Sequence, residues 1–265
     1  MYNSFQLASK FLRYWLSASN GKGHGVHSPF VFEFVIKVLN DKTAFECYAS
    51  IEALRRQLLA NETIIEVEDF GAGSRSGATK KRAVQSIAAS ALKPRKFAQL
   101  LHRIANHYRC ENIVELGTSL GVTTSYFAAA SPTKHLYTLE GSAAIADLAA
   151  ANFKQLGYNN IEQVVGNFDE IFPPLLLRVS NIDLLYIDGN HRYEPTIRYF
   201  EEAWPHLNEY SVVVFDDIHW SSEMEKAWHQ VIKDPRITLS IDLFFIGLVF
   251  FRKDFKVKQD FSIRF

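Results

Sequence analysis

The sequence predicts a doubly wound α/β sheet behind a helical extension, and three observations carry that prediction. From Asn112 onward, five short apolar runs alternate with five stretches of helical periodicity, the rhythm of parallel strands joined by right-handed crossover helices. Two more strand-like runs, Ile237 to Leu243 and Phe244 to Arg252, have no helix between them, so an antiparallel hairpin at one sheet edge is expected. The first hundred residues instead carry helical periodicity and glycine-punctuated loops.

Taken in order, residues 1–20 form an amphipathic helix candidate interrupted by Lys10 and Arg13. A loop follows at Gly21 to Gly25, then helices over Phe30 to Leu39 and Ile51 to Leu59. Residues 70–99 contain no Asp or Glu but carry Arg75, Lys80, Lys81, Arg82, Lys93, Arg95 and Lys96. A solvated helix face after a FGAGSRSG loop accounts for this bias, with an anionic substrate or RNA as alternatives. No aromatic residue sits among these cations to stack a base, which weighs against RNA. The expected division is therefore 1–97 as a helical extension or cap and 98–265 as the sheet domain. In the latter the strands are 113–116, 135–140, 161–165, 182–188 and 211–217, and the helices 122–130, 143–156, 169–179, 194–207 and 222–232.

Composition narrows the class. With 265 residues, 48% hydrophobic and 22% charged, the chain can bury a core without staples, and disordered or collagen-like architectures are excluded. Its 29 basic and 29 acidic side chains give no bulk drive toward nucleic acid or anionic membrane, although a local patch is compatible with that balance. A small-molecule partner is favoured. Cys47 and Cys110 are the only cysteines, far apart and outside any CxxC pattern, which points to a reducing compartment, the cytoplasm. No run approaches the roughly 18 apolar residues of a membrane span.

In such sheets ligands bind beyond the carboxyl ends of the strands. The first strand runs into ELGTSLG, where Gly117 and Gly121 bracket a turn that lets backbone approach a ligand at a helix N-terminus. The GxGxxG spacing of dinucleotide folds is absent. Glu140 ends the second strand 19 residues past Gly121, where a carboxylate accepts hydrogen bonds from ribose hydroxyls. Gly166-Asn167-Phe168-Asp169 closes the third strand and suits an adenine edge and face; Asn167 as a helix N-cap is the bland alternative and is compatible with it.

Together, VELGTSLGVTT, the strand-ending TLE, VGNFDE, LLYIDGNH and VVVFDD resemble the class I S-adenosylmethionine-dependent methyltransferases over about residues 98–265. The last two motifs look most like the cation-dependent O-methyltransferases of the catechol and caffeoyl-CoA type, and the chain as a whole resembles uncharacterised bacterial methyltransferases. The resemblance implies a Rossmann-like seven-stranded sheet with an antiparallel last strand. It places Gly117, Ser119 and Gly121 at the methionine moiety, Glu140 at the ribose, and Asn167 with Phe168 at the adenine. It also draws Glu115, Thr118, Gly141 and Asp188 into the donor-binding set.

Asp188 closes the fourth strand and Asp216-Asp217 the fifth. Three carboxylates at neighbouring strand ends suit Mg²⁺, Mn²⁺ or Ca²⁺. The metal-dependent relatives carry an Asp-Asn pair at the fifth strand, so Asp217 departs from their pattern. Adjacent strand residues point to opposite faces, and both can reach one ion only if the chain has already turned. The alternative leaves one aspartate near the donor and the other on loop backbone. His191 stands where the catechol-type enzymes have a lysine base, and its ordinary pKa suits proton removal near neutrality. His219 is a second candidate base or ligand. Trp220 and Tyr193 are candidate substrate walls, His24 and His27 lie in a loop that could fold over a pocket, and Ser222 with Glu225 fits a capping box.

These readings point to S-adenosylmethionine-dependent O-methylation of a small hydroxylated molecule, with Asp188 and His191 at the chemistry and a divalent ion as an optional aid. Assembly as a homodimer and an anionic acceptor are both compatible with the sequence. The rivals are a nicotinamide- or nucleotide-binding oxidoreductase, disfavoured by the missing GxGxxG, and an RNA-directed or non-catalytic relative.

Overall fold

The computed structural model describes residues 1–68, 79–131 and 135–265. In chain order its elements are α1 (Ser4–Ser17), α2 (Pro29–Phe34), which continues as a π-helical turn Val35–Leu39, α3 (Cys47–Leu59), β1 (Ile64–Glu68), β2 (Thr79–Ala83), α4 (Val84–Ala91) and α5 (Arg95–His107). The alternating part follows as β3 (Asn112–Leu116), α6 (Val122–Ala130), β4 (His135–Glu140), α7 (Ala143–Leu156), β5 (Ile161–Val165), α8 (Phe168–Leu176), β6 (Ile182–Ile187), α9 (Tyr193–Ala203), β7 (Leu207–Asp216), α10 (Ser222–Val231), β8 (Leu239–Asp242), β9 (Ile246–Phe250) and β10 (Gln259–Ser262).

The chain falls into two compact units, Lys42–Val179 and the pair of segments Met1–Asp41 and Ser180–Phe265. In the first of these, β3, β4 and β5 run parallel with β4 in the middle. Ile113, Val114, Leu116, Leu136 and Leu139 are buried, as expected of parallel strands covered on both faces. A core of Ile51, Leu54 and Leu58 from α3 packs with Ile87, Val122 and Tyr126. At roughly 1.5–3 kcal/mol per fully buried large apolar side chain, this cluster is a main source of the unit's stability.

In the other unit the strand order is β10-β8-β9-β7-β6. β6 and β7 are parallel, and β9 lies antiparallel to both β7 and β8. α1 begins at Asn3, whose side chain accepts the Gln6 N–H at 2.9 Å while Gln6 returns a bond to the Asn3 N–H. This capping box satisfies two orphan donors. The inner face of α1, Leu7, Phe11 and Tyr14, closes over Phe244 and Phe245, with Phe11 edge-on to Phe244 at 5.0 Å.

Two elements correct the sequence reading. The β8–β9 hairpin does form, but β8 is not an edge, because β10 pairs parallel to it and adds an eighth strand to the seven expected. QDFS is too short and polar to announce itself; its burial alternates along four residues. Lys80, Lys81 and Arg82 lie on β2, a strand antiparallel to β1, rather than on a helix face. Opposite charges face each other across the pairing: Lys81 Nζ stands 3.8 Å from Glu66 Oε1. Arg75 and the FGAGSRSG segment lie outside the described residues.

No helix among the described residues is long and apolar enough to cross a membrane.

Candidate active site

In the Lys42–Val179 unit, the end of β3 turns sharply. Gly117 has φ 112° and Ser119 φ 48°, and the Gly117 and Thr118 N–H groups both donate to the Leu139 carbonyl at 3.0 Å. Gly121, at φ 76°, is the N-cap of α6. A Cβ there would lie 2.4 Å from Phe153 on α7, so the position demands glycine for conformation and for space. Gly121→Ala is expected to destabilise the protein by about 1–3 kcal/mol, read as a lower midpoint in urea.

The turn is joined to Glu140. Its Oε2 accepts the Ser119 N–H at 2.8 Å, and its Oε1 the Ser142 N–H at 3.0 Å. Burial raises the Glu140 pKa, against the backbone donors of Ser142, Ser119 and Gly141. These three backbone donors leave one of the carboxylate's four lone-pair sites for another donor. The third motif joins the same cluster, since the Gly166 N–H donates to the Glu140 carbonyl at 2.9 Å. Asn167 accepts the Asp169 N–H at 3.2 Å as N-cap of α8, and Phe168, half-buried, is that helix's first residue. Three motifs spread over some fifty residues thus meet at the ends of β3, β4 and β5.

Beneath the turn lies Glu115, fully buried. Its Oε2 accepts the Thr124 hydroxyl at 2.5 Å and the Thr138 hydroxyl at 2.7 Å, and Thr138 also bonds Thr118 at 2.6 Å. Its Oε1 is buried with no partner among the described residues, as is the Ser119 hydroxyl. Burial pushes the Glu115 carboxyl up to about 8, against the two threonine bonds. A buried carboxyl oxygen without a donor is costly, and a cationic or hydrogen-bonding ligand group would relieve it. Thr124 and Thr138 were invisible as site residues in the sequence, although Thr138, two residues before Glu140, shares its strand face by the period of two.

In the other unit, Asp188 directly follows β6, and its Oδ2 accepts the Tyr186 hydroxyl at 3.0 Å. His191 follows in a tight loop with Asn190 and His191 at φ 68° and 39°. That backbone turns the imidazole back, so that Nε2 stands 3.6 Å from Asp188 Oδ1 and the ring leans on Trp220, centroids 5.6 Å apart. Trp220 is held by its own N–H to the Asp217 carbonyl at 2.9 Å. Tyr193 turns to α10, where Lys226 lies over its ring at 4.0 Å and Gln230 takes its hydroxyl. His24 and His27 are exposed in the loop between α1 and α2.

The acidic triad does not assemble as an ion site. Asp216 is still in the sheet, in register with Ile246 and fully buried, whereas Asp217 has already turned to φ 51° and donates its N–H to the Phe245 carbonyl at 2.7 Å. Among the described residues no three His, Cys, Asp or Glu side chains, Asp188 included, converge on a position that could hold a metal.

His219 is also committed elsewhere. Nε2 lies 2.8 Å from Asp242 Oδ2 and Nδ1 3.2 Å from Glu225 Oε1. Burial alone would lower this imidazole's pKa, but the two carboxylates outweigh it and raise it. With both ring nitrogens taken, His219 is placed as an ion-pair member and not as a base or metal ligand. Glu225 also receives the Lys10 ammonium at 2.9 Å and the Tyr2 hydroxyl at 2.7 Å, so it belongs to this network and not to a capping box. The cap of α10 is Ser221, which accepts the Met224 N–H.

Comparison with known proteins follows the same residues. The family described as "Methyltransferase domain" matches residues 114–218. Uncharacterized protein R132 of Acanthamoeba polyphaga mimivirus is 27% identical over 146 residues, 51% of this chain; the match spans 66% of that relative, just under two thirds. The SAH-bound methyltransferase PaMTH1 of Podospora anserina superposes with a TM-score of 0.58 at 11% identity, covering 96% of this chain and 98% of its own. The O-methyltransferase TomG of Streptomyces achromogenes, solved with SAM, does so with 0.56 at 18%, covering 84% and 95%. The chain therefore has the fold of these methyltransferases, and residues 114–218 match the family described as a methyltransferase domain.

Proposed function

We propose that the protein transfers a methyl group from S-adenosylmethionine to a hydroxyl oxygen of a small molecule, with residues 98–265 as the catalytic part and residues 1–97 shaping acceptor choice. The observation that carries the reading is the bond from the Ser119 N–H to Glu140, which fastens the glycine turn to the acid that would hold the ribose. Glu140's remaining lone pair would accept a ribose hydroxyl. The unpartnered Glu115 Oε1 and Ser119 hydroxyl supply buried acceptors suited to the donor's α-ammonium. Asn167 and Phe168 would border the adenine.

When bound, the sulfonium supplies an activated methyl carbon: the acceptor oxygen forms the new C–O bond, the C–S bond breaks, and the thioether leaves. The chain must orient the acceptor and take its proton. His191 Nε2 would receive that proton, with Asp188 beside it to stabilise the imidazolium and Trp220 holding the ring in place. Because the aspartates do not converge, no step is assigned to a divalent ion. The likeness to solved O-methyltransferases supports an oxygen acceptor. The chain's two cysteines favour the cytoplasm as its compartment.

The test is calorimetric titration with S-adenosylhomocysteine. Saturable binding is expected, weakened roughly tenfold to a hundredfold in Glu140→Ala, the loss of hydrogen bonds to a charged group. Folded protein that gives no binding heat would overturn the donor assignment.

A further inference from the structure

α1 has two apolar faces, and among the described residues only one of them has a partner. Leu7, Phe11 and Tyr14 pack inward on Phe244 and Phe245. On the opposite side Phe5, Leu12 and Leu16 are 83%, 58% and 71% exposed, with Trp15 at 42% beside them. At 3.6 residues per turn, Phe5, Leu12 and Leu16 fall within an arc of about 40°, a continuous stripe along most of the helix.

Charge decides what suits that stripe. The first 32 residues contain no Asp or Glu; the first acid is Glu33, and the cations before it are Lys10, Arg13 and Lys22. Arg13 and Lys22 are exposed. Arg264 adds another positive group, its guanidinium 5.5 Å from the Trp15 ring centroid. The acids that lie near α1 are turned away from the stripe: Glu225 holds Lys10 and His219, and Asp242 holds His219. An aromatic and aliphatic stripe flanked, among the described residues, by cations rather than acids is the pattern of helices that lie in the headgroup region of anionic bilayers.

We propose that α1 docks the protein onto an anionic phospholipid surface, its Phe5–Leu12–Leu16 stripe entering the headgroup boundary and Arg13, Lys22 and Arg264 meeting lipid phosphates. This is attachment in the plane of the surface and needs no spanning helix. A second copy of the chain fits less well. An antiparallel pairing of two α1 stripes brings the two Arg13 side chains to within about a Debye length of each other, with no acid on either helix to offset them.

The test is co-sedimentation of the full chain with vesicles of equal parts phosphatidylcholine and phosphatidylglycerol, compared with pure phosphatidylcholine. Binding to the anionic vesicles is expected to exceed that to neutral ones by about tenfold or more, and to fall by about tenfold in Arg13→Glu and in high salt. The triple variant Phe5→Ser, Leu12→Ser, Leu16→Ser should lose it while keeping the wild-type thermal melt, since all three side chains are exposed. The proposal is overturned if the wild type does not sediment with anionic vesicles, or if the triple variant binds as well as the wild type. It is equally overturned if light scattering shows a dimer that the triple variant turns into a monomer without any vesicle binding by the wild type.

Discussion

Replacing His191 with alanine is expected to lower kcat by about 10²–10⁴-fold, the usual contribution of a positioned general base. S-adenosylhomocysteine affinity should stay unchanged, because Glu140 and the glycine turn are intact. The geometry behind the expectation is specific. His191 adopts φ 39°, uncommon for a residue with a Cβ, and this turns its ring toward Asp188 on one side and Trp220 on the other. Thioether release, followed across a panel of hydroxylated acceptors, supplies the rate. A His191→Ala variant as fast as the wild type on the best acceptor would remove the base from the mechanism. Asp188→Asn should fall between the two, since it keeps the oxygen that receives the Tyr186 hydroxyl but removes the charge that favours imidazolium.

Glu115→Gln should change how stability depends on pH. The carboxyl is raised from 4.5 to about 8 in the folded protein. In the unfolded chain it ionises near its ordinary value, so the folded state holds the extra proton between those limits. The stabilisation is fully present below pH 4.5 or so and is lost as the pH climbs through about 8. At about 1.4 kcal/mol per unit, the swing amounts to a few kcal/mol at most. Wild type should therefore lose stability between pH 5 and 9 relative to Glu115→Gln, measured as the difference in urea-unfolding free energy at each pH. Parallel curves would mean that the carboxyl does not titrate in this range. The same proton has a binding counterpart: a ligand ammonium facing Oε1 favours the ionised form, so S-adenosylhomocysteine should release protons below pH 8. Calorimetry in buffers of different ionisation enthalpy reads that release directly.

The sequence was most legible where a single period dominated. β4 and β5 and helices α6 and α7 begin and end where apolar alternation and helical spacing place them. The glycine turn, Glu140 and the Gly166–Phe168 segment were legible as a group because strand ends in a parallel sheet collect at one side. Other features lacked a local signal. β2 reads TKKRA, with no apolar alternation, yet pairs antiparallel with β1. The fate of His219 depends on Asp242, 23 residues away, and on Glu225, which in turn depends on Lys10, 215 residues away. A strand-end histidine looks the same in sequence whether its nitrogens face a cleft or two carboxylates. The aspartate pair at 216 and 217 was similarly ambiguous, and the turn to φ 51° at Asp217 separates the two backbones into sheet and loop.

The segment Met1–Asp41 completes its unit only with Ser180–Phe265, and the junction is literal: the Ser19 N–H donates to the Ser262 carbonyl and the Arg264 N–H to the Ser19 carbonyl. During synthesis, Lys42–Val179 is contiguous and can collapse as it emerges, while α1 waits for residues more than two hundred positions downstream. At about 5–20 residues per second that delay is on the order of ten to fifty seconds. Throughout it, Leu7, Phe11 and Tyr14 have no Phe244 or Phe245 to cover them, so these apolar side chains stay exposed until those two residues have been made.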